Sequence, residues 1–179
     1  MKKIIGIIFF LAVSFAAKNS YAQSFDDYFA YGIDTTLTYK IDTIEVYWNV
    51  SIDSSSRCLT ISETTSTSTF PLNYELCQID STIILRTDFG NDDMKEETIL
   101  IFSIPFVLGE TKKSNSHSTT VYKHLASLQI RETQFQDVFI LKNEWLGEGD
   151  LEDHYYYISR GHGFIQFEGA ISGKISIVR

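Results

Sequence analysis

The stretch that decides the fold is DHYYYISRGHGFIQFEG, residues 153–169. It contains two runs rich in aromatic residues, a composition that favours strands. Between the runs lie Gly161 and Gly163, which allow the backbone to bend where a bulky side chain would obstruct a sheet. The stretch therefore predicts a strand, a glycine kink and a second strand, which together are the architectural signature of a β-rich fold.

Along the rest of the chain, apolar residues recur mostly at every second position, which is the pattern of strands in a sheet with one covered face. The clearest example is residues 44–52, where apolar and polar residues alternate. Short connections separate many such runs, and helical spacing is confined to residues 25–31. We predict a mainly β fold with a single strongly curved antiparallel meander sheet, in the form of a half-barrel, an open barrel or a sandwich.

The N-terminus has the features of a secretory signal. A short cationic start precedes an apolar run at residues 4–17, and Ser20 and Ala22 are the small residues before a predicted cut. The alternative is an uncleaved membrane anchor, which the shortness of the run disfavours. We predict a signal peptide at residues 1–22 and a single β-rich domain at residues 23–179. The mature protein is expected in the periplasm or outside the cell, without stable membrane insertion.

The predicted mature chain is acidic. Removing residues 1–22 leaves 157 residues and takes away three lysines and no acid, so the formal net charge changes from −8 to −11. Nucleic acids and anionic membranes bind to basic surfaces, so this charge argues against both as partners. A chain of this length can bury about two-thirds of the surface that its unfolded form exposes, which is enough for a self-sufficient domain.

Cys58 and Cys77 are the two cysteines of the chain, and an even count in an oxidising compartment favours a disulfide. A hairpin folded about residues 67–68 sets Leu59 opposite Leu76 and Cys58 opposite Cys77. One register therefore pairs the apolar residues on the same face and also brings the two sulfurs together. One alternative is two free thiols. The other is a metal site, but two cysteines without a nearby histidine fall short of the four ligands that structural zinc takes. We predict the disulfide.

No group of residues has the spacing of a catalytic device. The chain has no Gly-x-Ser-x-Gly elbow, and its carboxylate pairs adjoin turns. His154 and His162 flank the opening stretch and supply at most half of a metal site. We therefore predict no enzymatic activity, no cofactor and no metal. A pair of carboxylates, or His154 with His162, facing a deep cleft would revive the enzyme hypothesis.

The aromatic residues of the predicted sheet have two interpretations. They are the ordinary filling of a covered face, or they line a pocket for an apolar or amphiphilic ligand. The candidate ligand-binding residues are Trp48, Tyr155, Tyr157, His162 and Phe164. Alternation places Tyr155 and Tyr157 on one face and Tyr156 on the other, so at most two of the three line the same cavity. The predicted function is a non-catalytic binding module, and the alternative is a structural or protein-interaction component of an envelope assembly.

Four segments carry a resemblance to a known class of protein. In chain order they are residues 28–32 with Thr38-Tyr39, residues 104–109, residues 133–139, and residues 155–157 leading into residues 161–168. Together they resemble the small exported β-rich domains of Gram-negative envelopes that end in a YYAPGVGLVK-like motif. The resemblance implies a curved antiparallel sheet of the lipoprotein-carrier or half-barrel kind, and it brings no catalytic residues. This chain departs from the motif in lacking the early tryptophan, in having Ser159-Arg160 where proline is usual, and in having His162 between the glycines.

Overall fold

In the residues that it describes, the computed structural model contains one short helix and twelve strands. It describes residues 23–29, 35–41, 43–53, 58–88, 97–147, 152–169 and 173–178, so the predicted signal peptide lies outside the described residues. Helix α1 spans Phe25–Tyr28. The strands are β1 (Thr35–Ile41), β2 (Ile44–Asp53), β3 (Cys58–Thr65), β4 (Ser68–Ile79), β5 (Thr82–Asp88), β6 (Glu97–Ser103), β7 (Thr111–Lys113), β8 (His117–Ile130), β9 (Thr133–Trp145), β10 (His154–Ser159), β11 (Gly163–Gly169) and β12 (Gly173–Val178). No described helix is long and apolar enough to cross a membrane.

All twelve strands belong to one antiparallel sheet. Its order is β6-β5-β4-β3-β2-β1-β12-β11-β10-β9-β8-β7, so each half of the chain forms a meander and β1 pairs with β12 to join the halves. The sheet curves until its two ends approach each other, with β6 packed beside β8. The predicted fold class is confirmed, in the form of a nearly closed barrel.

The seam between β6 and β8 is bridged by side chains. The backbone N–H of Ile101 donates to the Thr119 hydroxyl at 3.2 Å. The Asn143 amide, reaching across from β9, donates to the Ile99 carbonyl at 3.0 Å and accepts from the Thr119 hydroxyl at 3.0 Å. Thr119 and Asn143 are both buried, so these contacts satisfy polar groups that water cannot reach.

The β3–β4 hairpin has the predicted register. Cys58 lies opposite Cys77 and Leu59 lies opposite Leu76, with the turn between Thr65 and Ser68. Cys58 and Cys77 form a disulfide, so the predicted bond is confirmed. The leucines face the barrel interior, where both are buried, and this shared burial fixes the register that brings the sulfurs together.

The glycine kink of residues 153–169 joins β10 to β11. Gly161 and Gly163 have φ angles of 73° and 65°, which lie in the left-handed region that residues with a side chain rarely adopt. The predicted strand–kink–strand arrangement is therefore confirmed. The polar segment at residues 111–118 contains β7 and the start of β8, with Thr111 opposite Thr120.

Helix α1 closes one end of the barrel. The Ser24 hydroxyl accepts from the Asp27 N–H at 3.2 Å, and the Asp27 carboxylate accepts from the Ser24 N–H at 2.8 Å, which forms a capping box that starts the helix. The Asp27 carbonyl also accepts from the Gly161 N–H at 2.6 Å. The helix is thus tied to the turn between β10 and β11.

The apolar face of α1 continues the aromatic core of the barrel. Phe25, Tyr28 and Phe29 are all buried. The ring of Phe29 lies 5.4 Å from that of Phe164 on β11 and 6.4 Å from that of Phe102 on β6. This packing forms a floor beneath the barrel interior.

Candidate functional site

The opposite end of the barrel contains a cavity of about 480 Å³. Its walls come from the inner faces of β1 to β6 and β10 to β12, near the β1–β2, β3–β4 and β11–β12 turns. The lining residues are Tyr39, Ile44, Val46, Trp48, Glu63, Thr65, Thr67, Tyr74, Leu85, Ile99, His154, Tyr155, Tyr156, Phe167, Glu168, Gly173 and Ile175. The cavity is therefore mostly apolar and aromatic, with a small number of polar groups.

Five aromatic rings form a group in the wall, that of Trp48 and those of four neighbours. The Trp48 ring lies 5.0 Å from Tyr39, 5.1 Å from Phe167 and 6.2 Å from Tyr74. Tyr156 joins the group through Phe167, at 5.5 Å. These rings come from five strands that lie between β4 and β10 in the sheet order, so the β1–β12 pairing and the curvature of the sheet bring them together.

Glu63 is the polar residue at the centre of this wall. It lies directly opposite Trp48 across the β2–β3 pair, and the Trp48 indole Nε1–H donates to its Oε2 at 2.7 Å. Burial raises the pKa of the Glu63 carboxyl above its usual range, and the hydrogen bond from Trp48 opposes this rise. Among the described residues, no lysine, arginine or histidine forms an ion pair with it.

Two tyrosine phenols face the same interior. Burial raises the pKa of Tyr156 to about 12. Burial also raises the pKa of Tyr74 above its usual range, and the nearby charge of Glu63 adds to the rise. Both phenols therefore stay neutral at physiological pH, and they can donate hydrogen bonds into the cavity.

The mouth of the cavity carries the remaining charges. His154 Nε2 lies 3.3 Å from the Glu152 carboxylate. Glu168 accepts a hydrogen bond from the Tyr157 hydroxyl at 2.8 Å and pairs with Lys174 at 3.6 Å. These groups already have partners, in contrast to Glu63.

The five candidate ligand-binding residues do not all reach the cavity. Trp48 lies in its wall and Tyr155 contributes at its mouth. Phe164 is fully buried behind Trp48, with the rings 5.9 Å apart, and it packs between the wall and α1. Tyr157 is half-buried against the core and does not line the cavity, and the Lys174 Nζ lies 5.9 Å from its ring. His162 lies in the β10–β11 turn against Phe135, at the α1 end.

Of the tyrosines at residues 155–157, Tyr155 and Tyr156 line the cavity and Tyr157 does not. Tyr156, which was not predicted as a site residue, lies in the interior wall, since it has the same strand parity as Ile158, which is fully buried. That parity was a usable signal in the sequence. Phe167 was missed for another reason. A bulge after Tyr157 lets both Phe164 and Phe167 face inward, although simple alternation would separate them.

Glu63 was not predicted as a site residue. It continues the inward alternation of Leu59 and Ile61 on β3, which are both buried. A carboxylate at the next inward position is an exception to the apolar pattern of a covered face. That exception was the signal that could have identified it.

His154 and His162 do not form a joint site. His154 lies opposite Gly169 at one end of the β10–β11 hairpin, and His162 lies beyond Ser159 at the other end. Within the described part of the chain, no group of three or more His, Cys, Asp or Glu residues is arranged to hold a metal ion.

Comparison of the chain with protein-family models, with curated proteins and with solved structures gives no match. The resemblance to exported envelope domains therefore stays a prediction that rests on the four sequence segments. The cavity is the feature from which a function can be inferred.

Proposed function

We propose that this protein is an exported envelope protein that binds an apolar or amphiphilic ligand in its barrel cavity. The observation that carries the proposal is the cavity itself, which has a volume of about 480 Å³ and a largely aromatic wall. Binding sites for small molecules typically have volumes of roughly 300–1,000 Å³. A barrel filled only by its own side chains would leave few voids larger than a water molecule. The size of the cavity therefore favours a ligand over simple core packing.

The composition of the cavity favours binding over catalysis. Its described lining includes no cysteine, serine, lysine or arginine. The inward carboxylate, Glu63, is held by an indole, and the one histidine, His154, lies at the mouth beside Glu152. Covalent catalysis requires a nucleophile within hydrogen-bond reach of a base, and the threonine hydroxyls of the lining, Thr65 and Thr67, lie 3.3 Å from each other.

Export is supported by the residue pattern of positions 1–22 and by the Cys58–Cys77 disulfide, because such bonds persist in oxidising compartments. Gln23, the first residue after the predicted cut, accepts a hydrogen bond from the Phe106 N–H at 2.7 Å. N-terminal sequencing of the protein from the envelope or culture medium is expected to begin at Gln23. A full-length cytoplasmic product would contradict export.

Ligand binding is tested by native mass spectrometry of the protein isolated from its host, together with thermal shifts in the presence of straight-chain alcohols, acids and amines. We expect a co-purifying small molecule or a concentration-dependent rise in Tm. The control is Val46→Phe, which adds a ring to the cavity wall and should abolish the rise while the strand content stays the same. A wild-type protein with neither a bound molecule nor any thermal shift would contradict the proposal.

A second candidate function, contact with an envelope protein, is favoured by one exposed apolar pair. Val107 and Leu108 are 56% and 58% exposed on the β6–β7 connection at the α1 end. Adjacent exposed apolar residues are a common feature of interaction sites. Cross-linking in envelope extract should recover a partner that the Val107→Ser/Leu108→Ser variant loses. Equal recovery of a partner by the wild type and by the variant would contradict the proposal that Val107 and Leu108 contact an envelope protein.

A further inference from the structure

Resting on the proposed ligand-binding function, we infer that the ligand carries a cationic ammonium group, which binds against Glu63 between the aromatic rings of the cavity. The chemical class is an alkylamine or a quaternary alkylammonium compound, with the alkyl part against the apolar wall. The inference is drawn from the geometry of Glu63, from the rings around it and from the charges of the lining.

Glu63 has unused bonding capacity that faces the cavity. Its Oε2 accepts from the Trp48 indole, and Oε1 has no hydrogen-bond donor among the described residues. The residue is itself part of the cavity lining. A partly buried carboxylate with a single neutral partner is unfavourable in an empty site, and a ligand cation would supply the missing charge.

The rings around Glu63 suit an ammonium group. Trp48, Tyr74, Tyr39, Tyr156 and Phe167 line one wall with ring centroids 5.0 to 6.2 Å apart. Aromatic faces attract cations through the ring quadrupole, and sets of aromatic residues are a recurrent way of holding quaternary ammonium groups. The same faces offer no such attraction to an anion.

The charges of the lining complete the argument. The described lining contains Glu63 and Glu168 and no lysine or arginine. Lys174 pairs with Glu168 at the mouth and His154 pairs with Glu152, so neither side chain neutralises Glu63. A fatty acid would place its carboxylate in a cavity that holds another carboxylate, whereas a cation meets complementary charge.

The test is calorimetric titration of the full protein with decyltrimethylammonium, decanol and decanoate, below the concentrations at which they form micelles. We expect decyltrimethylammonium to bind about tenfold or more tightly than decanol, and decanoate to bind most weakly. Glu63→Gln should remove the preference for the cation while decanol affinity changes less than about twofold. The matched control, Glu144→Gln, removes a carboxylate that pairs with Lys142 and lies outside the cavity lining, and it should retain the preference.

The outcomes separate this inference from the function on which it rests. Decanol binding with no preference for the cation, or an unchanged preference in Glu63→Gln, would overturn the inference and leave the ligand-binding function in place. No binding of any probe to folded wild-type protein would overturn both.

A second measurement needs no substitution at Glu63. Cation affinity should rise from about pH 4 to about pH 8 as the carboxyl ionises, while decanol affinity stays constant. Tyr74, which lies near Glu63, and Tyr156, which lies near Tyr74, stay neutral over this range. His154 and Glu168 lie at the mouth, so the profile is repeated in His154→Gln and in Glu168→Gln. A flat profile in all three proteins would overturn the inference.

Discussion

At the scale of single residues, Glu63 is the exception that gives the barrel interior a specific chemistry. Its neighbours along the inward face of β3, Leu59 and Ile61, are buried apolar residues. A carboxylate in that row costs stability when it is charged, because burial raises its pKa and disfavours the ionised form. Departures from the apolar pattern are expected where a site is built.

Replacing Glu63 with Gln should therefore stabilise the ligand-free protein. The folded-state pKa lies above 4.5, the ordinary value for a glutamate, so the folded protein binds more protons than the unfolded chain between those two pKa values. Wild-type stability should fall as pH rises from about 4.5 through the folded-state pKa, and the advantage of Glu63→Gln should grow over the same window and then level off. Urea unfolding across that pH range measures it. Glu168→Gln is the control and should show no such gain; a destabilised Glu63→Gln at neutral pH would contradict the account.

The sequence predicted only some of the residues that line the cavity. Trp48 could be placed because it lies in a strand with uninterrupted alternation. Phe167 could not, because the bulge after Tyr157 changes the phase of β11 relative to β10, and bulges depend on tertiary context. Glu63 was not predicted, because a polar residue in a half-buried strand is ordinarily assigned to the solvent face.

At the scale of elements, two devices hold the barrel wall in register. The first is the disulfide between β3 and β4, which closes a sequence separation of 19 residues. The second is the side-chain bridge of Asn143 and Thr119 across the β6–β8 seam. The hairpin register was predictable because local pairing and one apolar face specify it. The seam was not, since it joins residues far apart in the chain.

Removing the disulfide should lower the free energy of unfolding by about 3 kcal/mol, because the unfolded chain gains the freedom that the closed loop denied it. The variant is Cys58→Ser with Cys77→Ser, measured by urea unfolding, and reduction of the wild type should reproduce the loss. Thiol titration of the unreduced, denatured protein should detect no free thiol. Two titratable thiols, or unchanged stability in the double variant, would contradict the disulfide.

Asn143→Ala should lower the free energy of unfolding by about 2 kcal/mol, because the buried Thr119 hydroxyl loses the acceptor of its proton and the Ile99 carbonyl loses the Asn143 donor. Amide exchange should also quicken in β6, next to the seam. The control on the same strand is Gln134→Ala, an exposed position where the change should stay within about 0.5 kcal/mol. Equal effects in the two variants would show that the seam is not held by Asn143.

At the scale of the whole molecule, the curvature and near-closure of the sheet turn two meanders into a barrel that encloses a cavity. The two halves of the chain meet at β1 and β12, and the far edges meet at the seam, so aromatic residues distant in sequence share one cavity. Period-two alternation predicted the curved antiparallel sheet. It could not predict whether the interior would be filled, because cavity volume depends on how side chains from many strands pack together.

The most direct test of a ligand-binding barrel is the fluorescence of Trp48. The chain has two tryptophans, and Trp145→Phe leaves Trp48 as the single reporter. The buried Trp145 Nε1–H has no hydrogen-bond partner among the described residues, so the replacement breaks no such bond. Titration of Trp145→Phe with decyltrimethylammonium and decanol should give a saturable change in emission at one equivalent per chain, which Val46→Phe in the same background abolishes. A folded Trp145→Phe protein whose Trp48 emission stays constant with both probes would contradict the account.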